Sequence, residues 1–348
     1  MHEDNFDIPI LFCIFNRPDP TQEVFNQIKK IKPAKIYISA DGPRVNKIGE
    51  KESCLKTREI IKQIDWNCEI HTRLLEENHG CGNAISSAIT WMFESEDMGI
   101  ILEDDCVPSL DFFQYCRYML GKYKDVENIY AVCGEGPLCY SDGEVNSDYY
   151  FTRFFGCWGW ATWKRAWKIF DINITLDKKW QSNFINDKYY RQMHEYQEFL
   201  LYSVDKIKYE IKNDIKPNAW AAAWSLSIIK SDGLCIKPLK NLVTNIGDVG
   251  AHIDRTTASG WNNLLNRTLY SFDIVNTHHP DVLCPSRLID TKDTSCYVNL
   301  SKTFKIALNI SFILRRIGFY PRFSPKYHLL TLGGFVKSKL KKMIIRSW

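Results

Sequence analysis

Apolar and polar positions along this chain form a repeating order of short buried runs and amphipathic stretches. Ile8 to Phe15 is a continuous apolar run, the pattern of a parallel strand buried on both faces, and it stops at Asn16-Arg17-Pro18. Asp19 is placed to cap a helix whose first residue is Pro20, with Gln22 at the capping-box position. Val24, Phe25, Ile28 and Ile31 recur at helical spacing and give that helix one apolar face. Lys35 to Ala40 predicts the next strand, which ends at Asp41-Gly42-Pro43-Arg44. A short helix around Thr57 to Ile64 and an alternating strand over Glu69 to Leu74 follow. Asn78 to Asn83 is a glycine-containing loop opening a helix with Ala84, Ile85, Ala88, Ile89, Met92 and Phe93 on its apolar face. Met98 to Leu102 is another buried run, Ser109 caps a further helix, and Ile129 to Gly134 predicts one more strand.

Strand and helix therefore alternate over the first ~150 residues, which predicts an α/β fold with a mostly parallel, doubly wound sheet. Ligands of such sheets sit beyond the carboxyl ends of the strands. Four polar clusters fall at predicted strand ends: Asn16-Arg17, Asp41, Asn78-His79 and Glu103-Asp104-Asp105. Sharing one edge, they would offer an Arg and a His to phosphate or base, and carboxylates to ribose and metal. The glycine loop matches neither the Walker nor the dinucleotide fingerprint.

Three consecutive carboxylates at a strand end repel one another and are costly to desolvate, so a positive charge is expected beside them. Mg²⁺ or Mn²⁺ with oxygen ligands suits that place and commonly brings a substrate diphosphate. A solvated acidic turn is the alternative.

Composition narrows the classes. The chain has 348 residues, 45% hydrophobic and 25% charged, which is ordinary for a soluble globular protein of one or two domains. The net charge of +4 is too small to argue for nucleic acid. Its 12 Cys include no C-x-x-C pair, which speaks against a zinc ribbon. The start is polar and acidic with no apolar signal segment. Together these lead to the expectation of a reducing cytoplasm and free thiols. No apolar stretch is long enough to span a bilayer.

The texture changes near residue 150. Phe154 to Trp167 packs four Trp and two Gly together, readable either as an acceptor-binding wall with a basic rim, built on Trp158 and Trp160, or as tryptophan-rich core. Lys178 to Lys212 predicts a solvated helical layer, Asn218 to Trp224 starts a small-residue helix, and Leu234 to Pro238 is strand-like. His252 follows the glycine-containing segment after Asn241. Val336, Leu340, Met343 and Ile344 share a helical face among Lys337, Lys339, Lys341, Lys342 and Arg346, a pattern suited to an anionic membrane surface or to a solvated, docked terminal helix. Phe304 to Phe323 repeats this mixed character. The expected division is a nucleotide-sugar half over 1–150, an acceptor half over 151–260 and a helical extension over 261–348.

Phe12 to Pro18, Asn78 to Ala84, Glu103-Asp104-Asp105, the Trp158 to Trp163 block and Asn241 to Gly247 resemble bacterial GT-A glycosyltransferases. The likeness is to family-2-like enzymes of surface polysaccharide assembly and to the N-acetylglucosaminyltransferase I type, with its Glu-Asp-Asp form of the DxD motif. It covers roughly residues 8 to 255. The resemblance implies a GT-A fold and transfer of a sugar from a nucleotide-sugar donor, such as a UDP-sugar, to a glycan or lipid-linked acceptor, with inversion. It implies that Asp105 coordinates Mn²⁺ or Mg²⁺, with His252 near the metal or diphosphate. Glu103 and Asp104 would contact donor sugar and ribose, and Asn16, Arg17, Asp41 and His79 would line the nucleotide. Such enzymes carry an aspartate, as general base, in or just before a Trp-x-x-x-Trp element. Here that element reads Asn218-Ala219-Trp220-Ala221-Ala222-Ala223-Trp224, with no carboxylate. Asp214, then Asp248 and Glu135, are the substitutes. A nucleotidyltransferase and a non-catalytic nucleotide-sugar-binding module are the alternative readings.

Overall fold

The computed structural model describes residues 6–139, 143, 145–247, 265–297 and 302–318. Its centre is an eight-stranded sheet. The strands are β1 (Ile10–Ile14), β2 (Lys35–Ala40), β3 (Glu69–Leu74), β4 (Met98–Glu103), β6 (Ile129–Cys133), β7 (Tyr149–Thr152), β8 (Trp160–Trp163) and β9 (Leu234–Pro238). They lie in the order β3-β2-β1-β4-β8-β6-β9-β7. β1 to β4 are parallel, β8 runs against both β4 and β6, β9 is parallel to β6, and β7 is antiparallel to β9. The mostly parallel, doubly wound α/β sheet expected from the pattern is the observed one. Strands from both sides of residue 150 interleave in it.

Both faces are covered, as the apolar runs require. Along β1, Ile10, Phe12 and Ile14 pack with α1 (Pro18–Ile31) and α4 (Leu110–Lys122). Leu11 and Cys13 point the other way, toward α3 (Cys81–Ser95) and α8 (Trp220–Lys230). α1 begins at Pro18, two residues earlier than the spacing suggested, because a proline is favoured in a first turn where its missing N–H costs nothing. Asp19 therefore sits inside the first turn rather than capping it, where its charge suits the helix dipole. Ser109 does cap α4, accepting from the Phe112 amide at 3.3 Å. A small antiparallel ribbon, β5 (Cys106–Pro108) with β10 (Val243–Asn245), folds over the end of β4.

The segment expected to be a solvated helical layer breaks into α6 (Lys178–Asn186) and α7 (His194–Lys212), and it builds a core of its own. Leu200, Leu201, Val204 and Ile207 are buried against Ala223 and Leu226 of α8. α10 (Lys302–Arg316) closes this layer. Its Arg315 is buried and pairs with Glu198 and Asp205, both at 2.8 Å. That basic residue is therefore an internal tie, not part of a lipid-facing surface. The basic pattern over 336–346 lies outside the described residues. Among the described residues, no helix is long and apolar enough to cross a membrane.

α9 (Arg287–Tyr297) docks beside β7 and is tied to the loop after β6 by a Cys139–Cys296 disulfide. This corrects the expectation of free thiols: docking brings two cysteines 157 positions apart within bonding reach. α9 also carries a buried carboxylate. Asp290 accepts from Thr152 Oγ1 at 2.6 Å, the Arg153 amide at 3.3 Å and the Tyr189 hydroxyl. Burial pushes this carboxyl up to about 7, despite those donors. The folded state then holds the proton more tightly than the unfolded chain, so stability falls as pH rises from the ordinary aspartate value toward 7. Asp290→Asn is expected to flatten this decline. Urea unfolding at about pH 4 and about pH 8 measures it, and an unchanged slope would refute the assignment.

Candidate functional site

The parallel strands β1, β2, β3 and β4 end on one edge, and the four polar clusters meet there as the sheet topology requires. β4 ends at Glu103, and Asp104 and Asp105 form the tight turn into β5. Arg17, just before α1, reaches across this turn. It donates through one terminal nitrogen to Asp105 Oδ2 at 2.8 Å and through the other to Asp104 Oδ1, with Nε at 3.4 Å from Asp104 Oδ2. The Phe15 amide also donates to Asp104, at 3.3 Å. Burial opposes the Arg17 charge, but Asp104 and Asp105 more than reverse this and hold its pKa above the usual value. The positive charge expected beside the carboxylates is thus supplied in part by the chain itself.

The three acids differ in their surroundings. Asp104 is buried, which pushes its carboxyl up to about 6 although Arg17 opposes the rise. Glu103 is driven up to about 8 by burial and then by the Asp105 and Asp104 charges. Among the described residues, no donor hydrogen-bonds to the Glu103 carboxyl. Cys13, Cys81, Cys106 and Cys157 surround this cluster, and burial together with its carboxylates pushes each thiol well above its ordinary pKa. They are neutral, unreactive lining. Asp105 keeps partial exposure, with a side chain 14% accessible. Its backbone oxygen accepts from the Ile246 amide at 2.9 Å, and Gly247 lies against its carboxylate. A Cβ at 247 would stand 2.5 Å from Asp105 Oδ2, so a side chain here would press on that carboxylate.

Asp41 organises a loop. Its Oδ1 accepts from the Gly42 and His79 amides at 2.9 and 2.7 Å, and its Oδ2 from Asn78 Nδ2 and the Gly80 amide at 2.9 and 3.2 Å. Four donors leave it little capacity for a nucleotide base. Its structural part is to pin the Asn78–Gly80 turn so that α3 opens at the edge. Asn16 donates at 3.0 Å to Glu50, which also binds Arg44. Glu50 and Arg44 were missed as site neighbours because their pairing spans a polar stretch without periodicity. The His79 side chain is exposed and borders an open groove of about 650 Å³ along α3, with Arg73, Asn83 and Trp91.

The tryptophan block divides. Trp158 is half-buried at the edge. Trp160 is 0% exposed, stacks on Trp220 at 5.9 Å and meets the Phe155 ring at 4.8 Å. It is core of the α3–α8 face, which corrects its reading as an acceptor contact: β8 alternation turns it inward between two helices. Asp214 sits exposed in the turn after α7 with φ +56°, two residues before Lys216, which donates to the Asn78 carbonyl at the edge; no described contact joins Asp214 to the carboxylates. His252 and Asp248 lie outside the described residues.

A second charged cluster stands further along the same edge. Glu135, two residues beyond β6, lies 3.8 Å from Lys237 of β9, which is 3.5 Å from Asp293 of α9. Lys237 and Asp293 were not expected. A lysine inside the apolar run Leu234 to Pro238 was the available signal for the first, and nothing local marks the second.

Among the described residues, no group of three or more His, Cys, Asp and Glu side chains is arranged to hold a metal ion. Mg²⁺ and Mn²⁺ need less: one or two carboxylates, with substrate phosphates and waters completing the shell. Asp105 fits that sparse mode, since Arg17 takes Oδ2 while, among the described residues, Oδ1 meets only the weak Cys106 thiol donor at 3.4 Å.

No protein-family model matches the chain, and no curated protein matches it in sequence. Among solved structures it is similar to HddC from Yersinia pseudotuberculosis, at 14% identity and a TM-score of 0.29, over 47% of this chain and 78% of that one. It is also similar to 4-diphosphocytidyl-2C-methyl-D-erythritol synthase from Anaerococcus prevotii, at 9% and 0.28, over 47% and 74%. A UDP-glucose pyrophosphorylase bound to UDP-glucose shows 12% and 0.24, over 43% and 63%. At these TM-scores the likeness carries no argument about this chain.

Proposed function

We propose that this chain is a GT-A-type glycosyltransferase that moves a sugar from a nucleoside diphosphate donor, a UDP-sugar, to the hydroxyl of a glycan or lipid-linked acceptor. The reading rests chiefly on the Arg17 clamp across Asp104 and Asp105, at a sheet edge shared by Asn16, Asp41 and His79. It offers one cation and one partly exposed carboxylate at the place where an α/β sheet takes phosphates.

Asp105 would hold Mn²⁺ or Mg²⁺ with the donor diphosphate. A cation bound there would supply positive charge to offset the charge growing on the leaving diphosphate. Arg17 keeps Asp104 and Asp105 in register and adds a positive field. Glu103, to which no described residue donates, would face the sugar and accept or give a hydrogen bond. Asn16 and the loop held by Asp41 border the nucleoside, with His79 at its rim. Trp158 offers an apolar face to the acceptor. Peripheral contact with an anionic membrane would fall to the basic residues of 336–346.

A thermal-shift screen of nucleotide sugars with and without Mn²⁺, followed by product analysis, tests this. Sugar transfer releases a nucleoside diphosphate. Release of pyrophosphate from a nucleoside triphosphate would instead establish a nucleotidyltransferase, and metal-dependent binding without turnover would leave a binding module.

A further inference from the structure

The two sides of α10 meet different surroundings. Leu308, Ser311 and Arg315 are buried, and Phe312 packs on the same core as Leu200 and Leu201. Arg315 donates to Gln181 Oε1 of α6 at 2.7 Å, beside its two carboxylate partners. That side is therefore fixed to α6 and α7. At about 100° per residue, the opposite side carries Ile306, Ile310, Ile313 and Ile317. Ile317 lies one residue past α10, but its amide still donates to the Ile313 carbonyl at 3.3 Å, which keeps it in the row. Ile306 and Ile313 are each 59% exposed and Ile317 74%, while Ile310 is half-buried. Among the described residues, none of the four joins the packed cores. Scattered apolar side chains on a surface are ordinary, whereas four aliphatic residues in one helical row are the pattern of a covered face.

The charge of this end of the chain has one sign. From Thr294 to Trp348 the sequence holds 11 Lys and Arg and no Asp or Glu. The whole chain carries only +4, so residues 1–293 carry a net −7. Such asymmetry within one chain points to an anionic partner for its positive end. Beside the row, the exposed Arg316 guanidinium stands over the Phe312 ring at 5.8 Å. The basic and apolar residues of 336–346 repeat the same combination in sequence.

We propose that this side of α10 is a docking surface for an anionic lipid bilayer. The isoleucines enter the boundary between headgroups and acyl chains, and Arg316 stays at the level of the phosphates, as in a basic amphipathic helix lying in a membrane interface. This extends the peripheral contact given above to 336–346 by adding a folded part of the protein, and it holds whether or not the acidic turn transfers sugar. Charge and area favour lipid over other occupants. A second copy would set the same acid-free, positive surface against itself, and four isoleucines fall short of the roughly 800 Å² per partner of a stable protein interface. Residues 319–348, folded back, would bring seven more Lys and Arg to a helix that holds no carboxylate to receive them. A nucleic acid would use the charge but leave the aliphatic row uncovered.

The test is co-sedimentation of the full chain with vesicles of phosphatidylcholine containing about 30% phosphatidylglycerol, against vesicles of phosphatidylcholine alone. The parent is expected to bind the anionic vesicles, more weakly as salt rises, and to bind the neutral ones roughly tenfold less or weaker still. The triple variant Ile306→Gln, Ile313→Gln, Ile317→Gln keeps good helix formers and every inward contact of α10. It is expected to weaken anionic binding about 10–100-fold, through lost apolar burial, with a melting temperature within a few degrees of the parent. No binding of the parent to anionic vesicles would overturn the proposal. So would undiminished binding by the triple variant, with loss only when Lys337, Lys339, Lys341 and Lys342 are replaced by Gln, since contact would then lie in 336–346 alone. A triple variant that melts far below the parent would show the row covered by the chain itself. A dimer in sedimentation equilibrium that the triple variant dissolves, without vesicle binding, would assign the row to a second copy. Binding of duplex DNA, tighter than of vesicles and equal in both proteins, would assign the charge to nucleic acid. Each of these three also overturns the proposal. UDP release from UDP-sugars in vesicle-free solution is expected to be equal in parent and triple variant, so lost docking leaves the transferase reading standing. A parent that docks yet releases no UDP would overturn that reading alone.

Discussion

On the proposed reading, Asp105→Asn is expected to lower metal-dependent release of UDP from a UDP-sugar by about 10³-fold, the scale expected when a group acting on the leaving charge is removed. The substitution keeps size and one acceptor oxygen but removes the charge that would hold the cation. The fold should survive it. Asp105 is the more exposed member of the pair, and Arg17 keeps Asp104, the buried partner. A melting temperature within a few degrees of the parent, beside lost turnover and a lost Mn²⁺ response, is the expected pattern. Normal rates in this variant would remove the reason for placing the cation here.

Trp160→Ala acts on the other side of the molecule's economy. It empties the centre of a ring cluster in which Trp160 meets Phe155, Trp167, Trp220 and Trp224 at centroid distances of 4.8 to 6.3 Å. Truncating a fully buried Trp costs about 3–5 kcal/mol, through lost burial and the cavity left behind. Urea unfolding should show that loss. Trp160→Phe should lose less, because it removes an indole N–H that is buried without a partner. Were Trp160 an acceptor contact, stability would hold and the acceptor KM would rise instead. On the proposed reading, that second behaviour is expected of Trp158→Ala.

Much of this could be read from the chain because it rests on local rules. Doubly buried strands appear as unbroken apolar runs, so β1 and β4 were visible. Ser109 is a cap by side-chain chemistry alone. The four polar clusters were legible as strand ends, and parallel strands place all such ends on one edge. The errors share a cause. Trp158 and Trp160 are two residues apart and chemically alike, and only packing against α3 and α8 separates the edge residue from the core residue. Asp214 is exposed in the turn after α7, and only the tertiary structure shows that the chain beyond it, at Lys216 and Pro217, meets the Asn78–Gly82 loop. The pairing of Arg17 with Asp104 and Asp105 has no local signal either, since it depends on β1 and β4 lying side by side.

The sequence by itself determined the α/β class, the places where strands stop, and the acidic turn at Glu103-Asp104-Asp105, since periodicity and strand-end chemistry act within a few residues. Only the tertiary structure decided which charges meet. Arg17 lies 88 positions from Asp105, and Lys237 lies 56 from Asp293. An ion pair across such separations follows from sheet order and helix docking, and it leaves no local trace because the attraction depends on distance in space rather than along the chain.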